Sequence, residues 1–145
     1  MNQLFNTLPN TITTGPDPSR YDLLRNSLQH TPGIEALVLL SNDGLPIAAY
    51  GVEEAEAQRI TAMCSGMASI TAQMSGAVDG AGVLHTLITM ERRTVVMSAC
   101  GPDSALACVL DSRAHVGLAM REIVDKARAF ADHLGALPRF QAASR

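Results

Sequence analysis

Two neighbouring segments, Thr94–Cys100 and Ser104–Leu110, are strand-like and apolar at almost every position. Successive side chains of a strand point to opposite faces of a sheet, so such segments place apolar groups on both faces. The expected faces are Val95, Met97, Leu106, Cys108 and Leu110 on one side, and Val96, Ala105, Ala107 and Val109 on the other. A sheet that is apolar on both faces has to be covered on both faces. The chain must therefore fold into layers, with helices on either side of a sheet.

Turn residues divide the chain into eight elements. Asn42-Asp43-Gly44 joins two strand-like runs as a hairpin, because Asn and Gly tolerate the positive φ of a tight turn. The predicted helices cover residues 18–31, 53–75 and 113–135, and the predicted strands cover residues 34–41, 45–50, 83–90, 94–100 and 104–110. Connections this short favour antiparallel pairing. We predict an α+β fold, a five-stranded mainly antiparallel sheet covered by three helices in the order α-β-β-α-β-β-β-α.

Composition limits both the domain count and the class of partner. The 145 residues suit one domain, and 47% apolar with 17% charged residues exclude a disordered chain. A net charge of −3 and only 3% aromatic residues argue against nucleic-acid binding. No stretch is apolar enough to span a bilayer, and no secretory signal is visible. We expect a flexible tail over residues 1–17, the domain over residues 18–137 and a C-terminal tail over residues 138–145.

The residues that usually carry chemistry do not converge in this sequence. The four histidines fall on four different predicted elements, and none has a partner at metal-ligand spacing. The three cysteines lie in apolar stretches, which favours buried thiols in a reducing cytoplasm. The glycine-rich run from Gly76 to Gly82 leads into a strand and lacks the Lys of a phosphate-binding loop. We predict no catalytic residue, no metal site and no cofactor.

The central helix is unusual because it carries no charged residue from Ile60 to Val78. Its apolar stripe, expected against the sheet, contains Ile60, Met63, Cys64, Met67, Ile70, Thr71 and Met74. The other face is made of small residues, namely Ala62, Ser65, Ser69, Ala72 and Gly76. Small residues let two helices approach closely. A helix tucked wholly inside one domain is the alternative, but a domain of this size rarely buries a whole helix. We predict that the small-residue face is an interface with another chain.

The third predicted strand, Val83–Met90, adds to this interface. It is polar enough for a sheet edge, yet it contains no Lys or Pro that would discourage pairing with another strand. We therefore place His85, Thr86 and Leu87 in the interface. Protection of the edge by the flanking charges of Glu91-Arg92-Arg93 is the alternative.

Three segments in this order resemble the roadblock/dynein light chain family. They are Pro32–Ala49 (PGIEALVLLSNDGLPIAA), Ile60–Ile70 (ITAMCSGMASI) and Gly101–Ile123 (GPDSALACVLDSRAHVGLAMREI). The resemblance covers most of the chain, from about Tyr21 to Leu137. It is strongest to the bacterial branch, which includes the gliding regulator MglB and the actinobacterial conservon roadblock proteins.

The resemblance implies a non-enzymatic, two-fold homodimer in which the third strands pair and the second helices pack together. It also implies a Ras-like small GTPase as partner, docked on the second-helix side, within a signalling set that includes a sensor kinase complex. Nucleic acid and direct membrane insertion are not expected. The expected location is the cytoplasm, with recruitment to the membrane through partners. A small-molecule-sensing α+β module stays open as an alternative, and it would need a pocket between helix and sheet. An enzyme is disfavoured for want of an activated group.

Overall fold

The computed structural model describes residue 26 and residues 31–136, with side chains described as far as residue 132. This part of the chain forms β1 (Ile34–Ser41), β2 (Pro46–Tyr50), α1 (Glu54–Ala77), β3 (His85–Thr89), β4 (Thr94–Ala99), β5 (Ser104–Leu110) and α2 (Val116–Ala136). The predicted order of these seven elements is confirmed. Of the predicted first helix only Asn26 is described, and it is helical. The rest of that helix and both predicted tails lie outside the described residues.

The five strands form one sheet in the order β2-β1-β5-β4-β3, and every neighbouring pair is antiparallel. The hairpin between β1 and β2 forms where it was predicted. Gly44 has φ +84°, and its N–H donates to the carbonyl of Ser41 at 3.0 Å. A side chain at that φ would be strained, so glycine is the residue that lets the hairpin close. Among the described elements, β2 and β3 are the two edges of the sheet.

The register between β4 and β5 corrects the predicted faces. Met97 lies opposite Ala107, and Val96 lies opposite Cys108. Directly opposite residues share a face, so Val95 and Met97 join Ala107 instead of Cys108. Alternate residues of β4 are apolar on both sides of the strand. The alternation in the sequence therefore does not decide which side of β4 shares a face with which side of β5.

Helix α2 covers one face of the sheet and builds the larger core. Its inward residues recur at helical spacing, and Phe130 is only 2% exposed. They pack with strand residues in one buried cluster that includes Leu37, Leu39, Val96, Leu106, Cys108, Leu110, Ala119, Ile123, Ala127 and Phe130. The opposite face carries α1, which lies across β1 and β2. Within residues 31–136, neither helix is long and apolar enough to cross a membrane.

Helix α2 begins at Val116, three residues later than predicted. Asp111 accepts a hydrogen bond from the backbone N–H of Arg113 at 2.8 Å, which holds this segment in a turn. The backbone N–H of Leu118 donates to Nδ1 of His115 at 3.3 Å. His115 therefore occupies the position where a capping side chain satisfies a free N–H of the first helical turn.

Candidate interface on helix α1 and strand β3

A groove of about 890 Å³ separates the second half of α1 from strands β3, β4 and β5. The helical wall is made of small side chains, and the floor is made of strand residues. The wall contains Ser65, Ala68, Ser69, Thr71, Ala72, Ser75 and Gly76, and the floor contains Thr86, Met97, Ala99 and Ala105. Ala68 packs against the core cluster that contains Met97, and the small size of the remaining wall side chains leaves the groove open. Its shape is set by residue size along one flank of α1.

The end of the groove near the β1–β2 hairpin is tied together by polar contacts. Ser65 Oγ donates to the carbonyl of Asn42 at 3.2 Å, and Asn42 Nδ2 donates to the carbonyl of Pro102 at 2.9 Å. A Cβ on Gly44 would lie 3.2 Å from Cβ of Ser65, so the hairpin approaches α1 closely. These contacts join the hairpin, the middle of α1 and the β4–β5 loop.

The structure brings together most of the predicted interface residues. Six of the eight line the groove: Ser65, Ser69, Ala72, Gly76, His85 and Thr86. Ala62 is exposed on α1 outside the groove. Leu87 is 46% exposed and lies opposite Val96, which places it on the face of the sheet that α2 covers. Six of the predicted interface residues therefore share the groove, and Ala62 and Leu87 lie outside it.

The orientation of α1 differs from the predicted one. Its buried residues are Ala57, Thr61 and Cys64, whereas Met63 is 61% exposed. Ile70 and Met74, also assigned to the buried stripe, are 56% and 60% exposed. At 100° per residue the sheet-facing side, centred on these three buried residues, is turned by roughly 90° from the centre of the predicted stripe. Small side chains at the contact bring the helix close to the sheet, and Met63 and Met74 are left at the solvent side.

Polar side chains on the sheet-facing side of α1 satisfy their own hydrogen bonds. Thr61 Oγ1 donates to the carbonyl of Gln58 at 2.9 Å. Thr71 Oγ1 donates to the carbonyl of Met67 at 2.9 Å. These local bonds let threonine replace an apolar residue in a helix that packs on a sheet.

Strand β3 presents its outer backbone edge without a strand partner among the described residues. It pairs with β4 alone, and it contains no charged residue. Of the flanking charges, Arg93 is engaged elsewhere, with Nε at 2.5 Å from a carboxylate oxygen of Glu35 on β1. Arg92 and Glu91 remain exposed beside the end of the strand. The edge is accessible to a second strand.

The titratable groups of the described residues do not form an activated centre. Burial raises the pKa of Cys64, and it raises the pKa of Cys100 to about 12. The Cys100 thiol donates to the carbonyl of Ala127 at 3.2 Å. The thiol form of a cysteine is a poor nucleophile. The predicted burial of all three cysteines as free thiols is confirmed. No cluster of three metal-binding side chains occurs in residues 31–132.

Residues 20–111 match the sequence profile of the Roadblock/LC7 domain. A Roadblock/LC7 domain from Streptomyces avermitilis has a similar structure, with a TM-score of 0.75 and 23% identity over 79% of this chain and 96% of that one. The gliding protein MglB from Thermus thermophilus has a TM-score of 0.74 and 17% identity, over 83% of this chain and 93% of that one. MglB from Myxococcus xanthus has a TM-score of 0.74 and 12% identity, over 80% of this chain and 94% of that one. No curated protein sequence matches the chain significantly.

Proposed function

Because this chain belongs to the Roadblock/LC7 domain family, we propose that it is a homodimeric, non-enzymatic regulator or adaptor of a Ras-like small GTPase in a bacterial signalling system. Its structural relatives include MglB and MglC, and one MglB has been solved in a tetrameric arrangement. Such relatives support assembly as part of the role. A sensor kinase complex is a further proposed partner, acting in the cytoplasm and drawing the dimer to the membrane.

The observation that carries the dimer is the coincidence of the groove with the open edge of β3. A second copy related by a two-fold axis would pair its β3 with this one and satisfy the unpaired backbone groups of both edges. The same movement would bring the uncharged wall of each α1 towards its twin. A stable interface needs about 800 Å² on each partner, which a helix flank together with an edge strand is large enough to supply.

Family membership supports a GTPase partner. The sequence also lacks the residue pattern with which a protein binds a nucleotide itself. Nucleotide binding normally needs a backbone nest, a Lys for the phosphates and a carboxylate for the magnesium. The only Lys, Lys126, lies in α2, far along the chain from the glycine-rich segment after α1. We therefore expect no GTP hydrolysis by the isolated chain, and an effect only on the nucleotide state of a partner.

Assembly is tested by substituting Ser69 with Arg. The substitution would place a charge on the groove wall, opposite its twin in a two-fold dimer, and should weaken association by about 3–5 kcal/mol. Ala129→Arg, a small-to-Arg change on the exposed side of α2, is the matched control. We expect sedimentation to show a dimer for the wild type and Ala129→Arg at micromolar concentration, and a monomer for Ser69→Arg. A monomeric wild type would contradict the proposal.

The GTPase role is tested by titrating the dimer with small GTPases encoded nearby, each loaded with GDP or a GTP analogue. We expect one of them to bind with an affinity that depends on its nucleotide. Undetectable binding for all of them would refute the regulator role. GTP turnover by this chain alone would refute its premise.

A small-molecule sensor is the second candidate, and the groove is the observation that favours it. Its volume of about 890 Å³ falls within the range of ligand pockets, and serine and threonine residues line it. Native mass spectrometry separates the two candidates. A monomer that retains a metabolite supports the sensor, whereas a dimer with no bound metabolite supports the regulator.

A further inference from the structure

The open edge of β3 presents its unpaired backbone groups at fixed positions. The N–H of Met90 donates to the carbonyl of Arg93 at 2.8 Å, and the N–H of Ala99 donates to the carbonyl of Leu84 at 3.2 Å. Hydrogen-bonded residues alternate along an antiparallel strand, so every second residue from Leu84 to Met90 points its backbone groups at β4. The three residues between them point their N–H and C=O groups away from the sheet, and they are His85, Leu87 and Thr89.

Large exposed apolar side chains are placed symmetrically along the same edge. Leu84, Leu87 and Met90 are 78%, 46% and 48% exposed. Leu84 lies three residues before Leu87 and Met90 lies three residues after it, so the apolar pattern is the same in both chain directions. A second copy that runs antiparallel therefore offers an apolar side chain wherever this copy has one. Such a self-complementary surface is what a two-fold interface requires.

The position of the two-fold axis decides which side chains of the two strands meet. Near the middle of the strand, outward-pointing backbone groups bond with each other when the axis passes at Thr86, Leu87 or Ile88. An axis at Leu87 sets Leu87 opposite its twin and Leu84 opposite Met90 of the second copy. Directly opposite side chains share a face and contact each other. This axis therefore covers all three exposed apolar side chains with apolar ones.

The two neighbouring positions of the axis match the strands less well. A shift of the axis by one residue towards the N-terminus would leave Met90 opposite Gly82, which has no side chain to cover it. A shift by one residue in the other direction would set Leu84 opposite the charged Arg92. Both shifts lose apolar cross-strand contacts, which are the contacts that stabilise paired strands.

The charges around β3 agree with an axis at Leu87. Residues 80–90 contain no Asp, Glu, Lys or Arg. With this axis, Glu91 and Arg92 lie opposite uncharged residues of the loop that precedes β3 in the second copy, so like charges do not meet. Arg92 is exposed, and the loop that it approaches carries the exposed, oppositely charged Asp79. Charge complementarity of this kind fixes the register of an interface.

We propose that two copies of this chain pair through antiparallel β3 strands with the two-fold axis at Leu87, and that each copy completes the groove of the other. The inference rests on the proposed homodimer and specifies its register. Thr86 and Leu84 line the groove, and Thr86 lies opposite Met97 on the groove floor. In this register Ile88 and Met90 of the second copy lie beside them and extend the floor across the axis. The groove is therefore complete only in the dimer.

Single cysteine substitutions in the full chain test the register. Under mild oxidation Leu87→Cys should form a disulfide with its twin, because the axis sets the two Cα atoms about 5.5 Å apart, a distance that a disulfide spans. Thr86→Cys and Ile88→Cys are the matched controls, since each Cα would lie about 7–8 Å from its twin. Non-reducing electrophoresis should show a covalent dimer for Leu87→Cys alone. The native cysteines are buried and give no background.

A mixture of two variants gives a second measurement of the same register. Leu84→Cys and Met90→Cys should each give no covalent dimer alone, because neither residue approaches its own twin. After subunit exchange, an equal mixture of the two should cross-link, since the axis sets residue 84 of one copy and residue 90 of the other about 4.5 Å apart at Cα. Cross-linking of either variant alone but not of the mixture would overturn the register.

Sedimentation of the wild type separates failure of the register from failure of the homodimer. A dimeric wild type together with cross-linking of Thr86→Cys or Ile88→Cys in place of Leu87→Cys would overturn the register and leave the homodimer standing. A dimeric wild type for which no cysteine variant cross-links would overturn pairing through β3. A monomeric wild type would refute the homodimer and the register together.

Discussion

Gly33 is the position at which the smallest substitution should have a large effect on folding. Its φ is +87°, and its carbonyl accepts a hydrogen bond from the backbone N–H of Asp111 at 2.8 Å. A Cβ on Gly33 would lie 2.6 Å from both Cα and Cβ of Ala114. The chain before β1 and the β5–α2 turn therefore meet at a point where there is no space for a methyl group.

The cost of Gly33→Ala follows from these contacts. A left-handed backbone costs an L-residue about 1–2 kcal/mol, and forcing a methyl group into a filled site costs about 1–3 kcal/mol. Alanine also lowers the conformational entropy of the unfolded chain, which offsets about 0.4–1 kcal/mol of this destabilisation. The free energy of unfolding should therefore fall by about 2–4 kcal/mol, a decrease in Tm of about 10 °C. Ala114→Gly should rescue only part of this, because Cα of residue 114 remains in contact.

Gly66→Ala provides the control with the opposite sign. Gly66 lies in α1, and a Cβ there would meet nothing within 4 Å. Alanine is the better helix former, so this variant should be about 0.8–1 kcal/mol more stable than the wild type. Urea denaturation followed by circular dichroism measures both variants. A Gly33→Ala variant as stable as the wild type would refute the close approach at Ala114.

Four further predictions concern the core and the titratable groups. Phe130→Ala should lower the free energy of unfolding by about 3–5 kcal/mol in urea denaturation, because a fully buried ring leaves a cavity; a loss under 1 kcal/mol would contradict the packing of α2. Burial raises the pKa of Cys100 to about 12, whereas the unfolded thiol ionises near pH 8.5, so stability should fall as pH rises between these values. The three thiols should also resist a bulky reagent until the chain unfolds. A hydrogen bond from Arg113 lowers the pKa of Asp111, so Asp111→Asn should destabilise the chain at pH 7, and the difference should shrink as pH falls below about 4.

Elements set by local chemistry were predictable from the sequence. The Asn42-Asp43-Gly44 turn carries its own conformational requirement, and the hairpin formed there. The bounds of β4 and β5 agree with the prediction within one residue, because turn residues flank both strands. The groove wall was also predictable, since Ser69 and Ala72 are small and uncharged whatever they face.

The rotation of α1 and the register of β4 were not predictable, because contacts distant in sequence decide both. Ser65 donates a hydrogen bond to the carbonyl of Asn42, 23 residues earlier in the chain. This bond helps to set the rotation of the helix, in which the smaller side chains face the sheet. Helix α1 has apolar residues around most of its circumference, so periodicity alone permits more than one orientation.

The uneven anchoring of α1 has a consequence for its motions. Its buried residues, Ala57, Thr61 and Cys64, all lie in the first half of its 24 residues. Backbone amides of the second half should therefore exchange with solvent through local opening at a lower free energy than those of the first half. A partner that covers the second half also suppresses this opening, and part of the binding free energy is spent on ordering the helix. Its affinity then depends on the helix propensity of residues that it never touches.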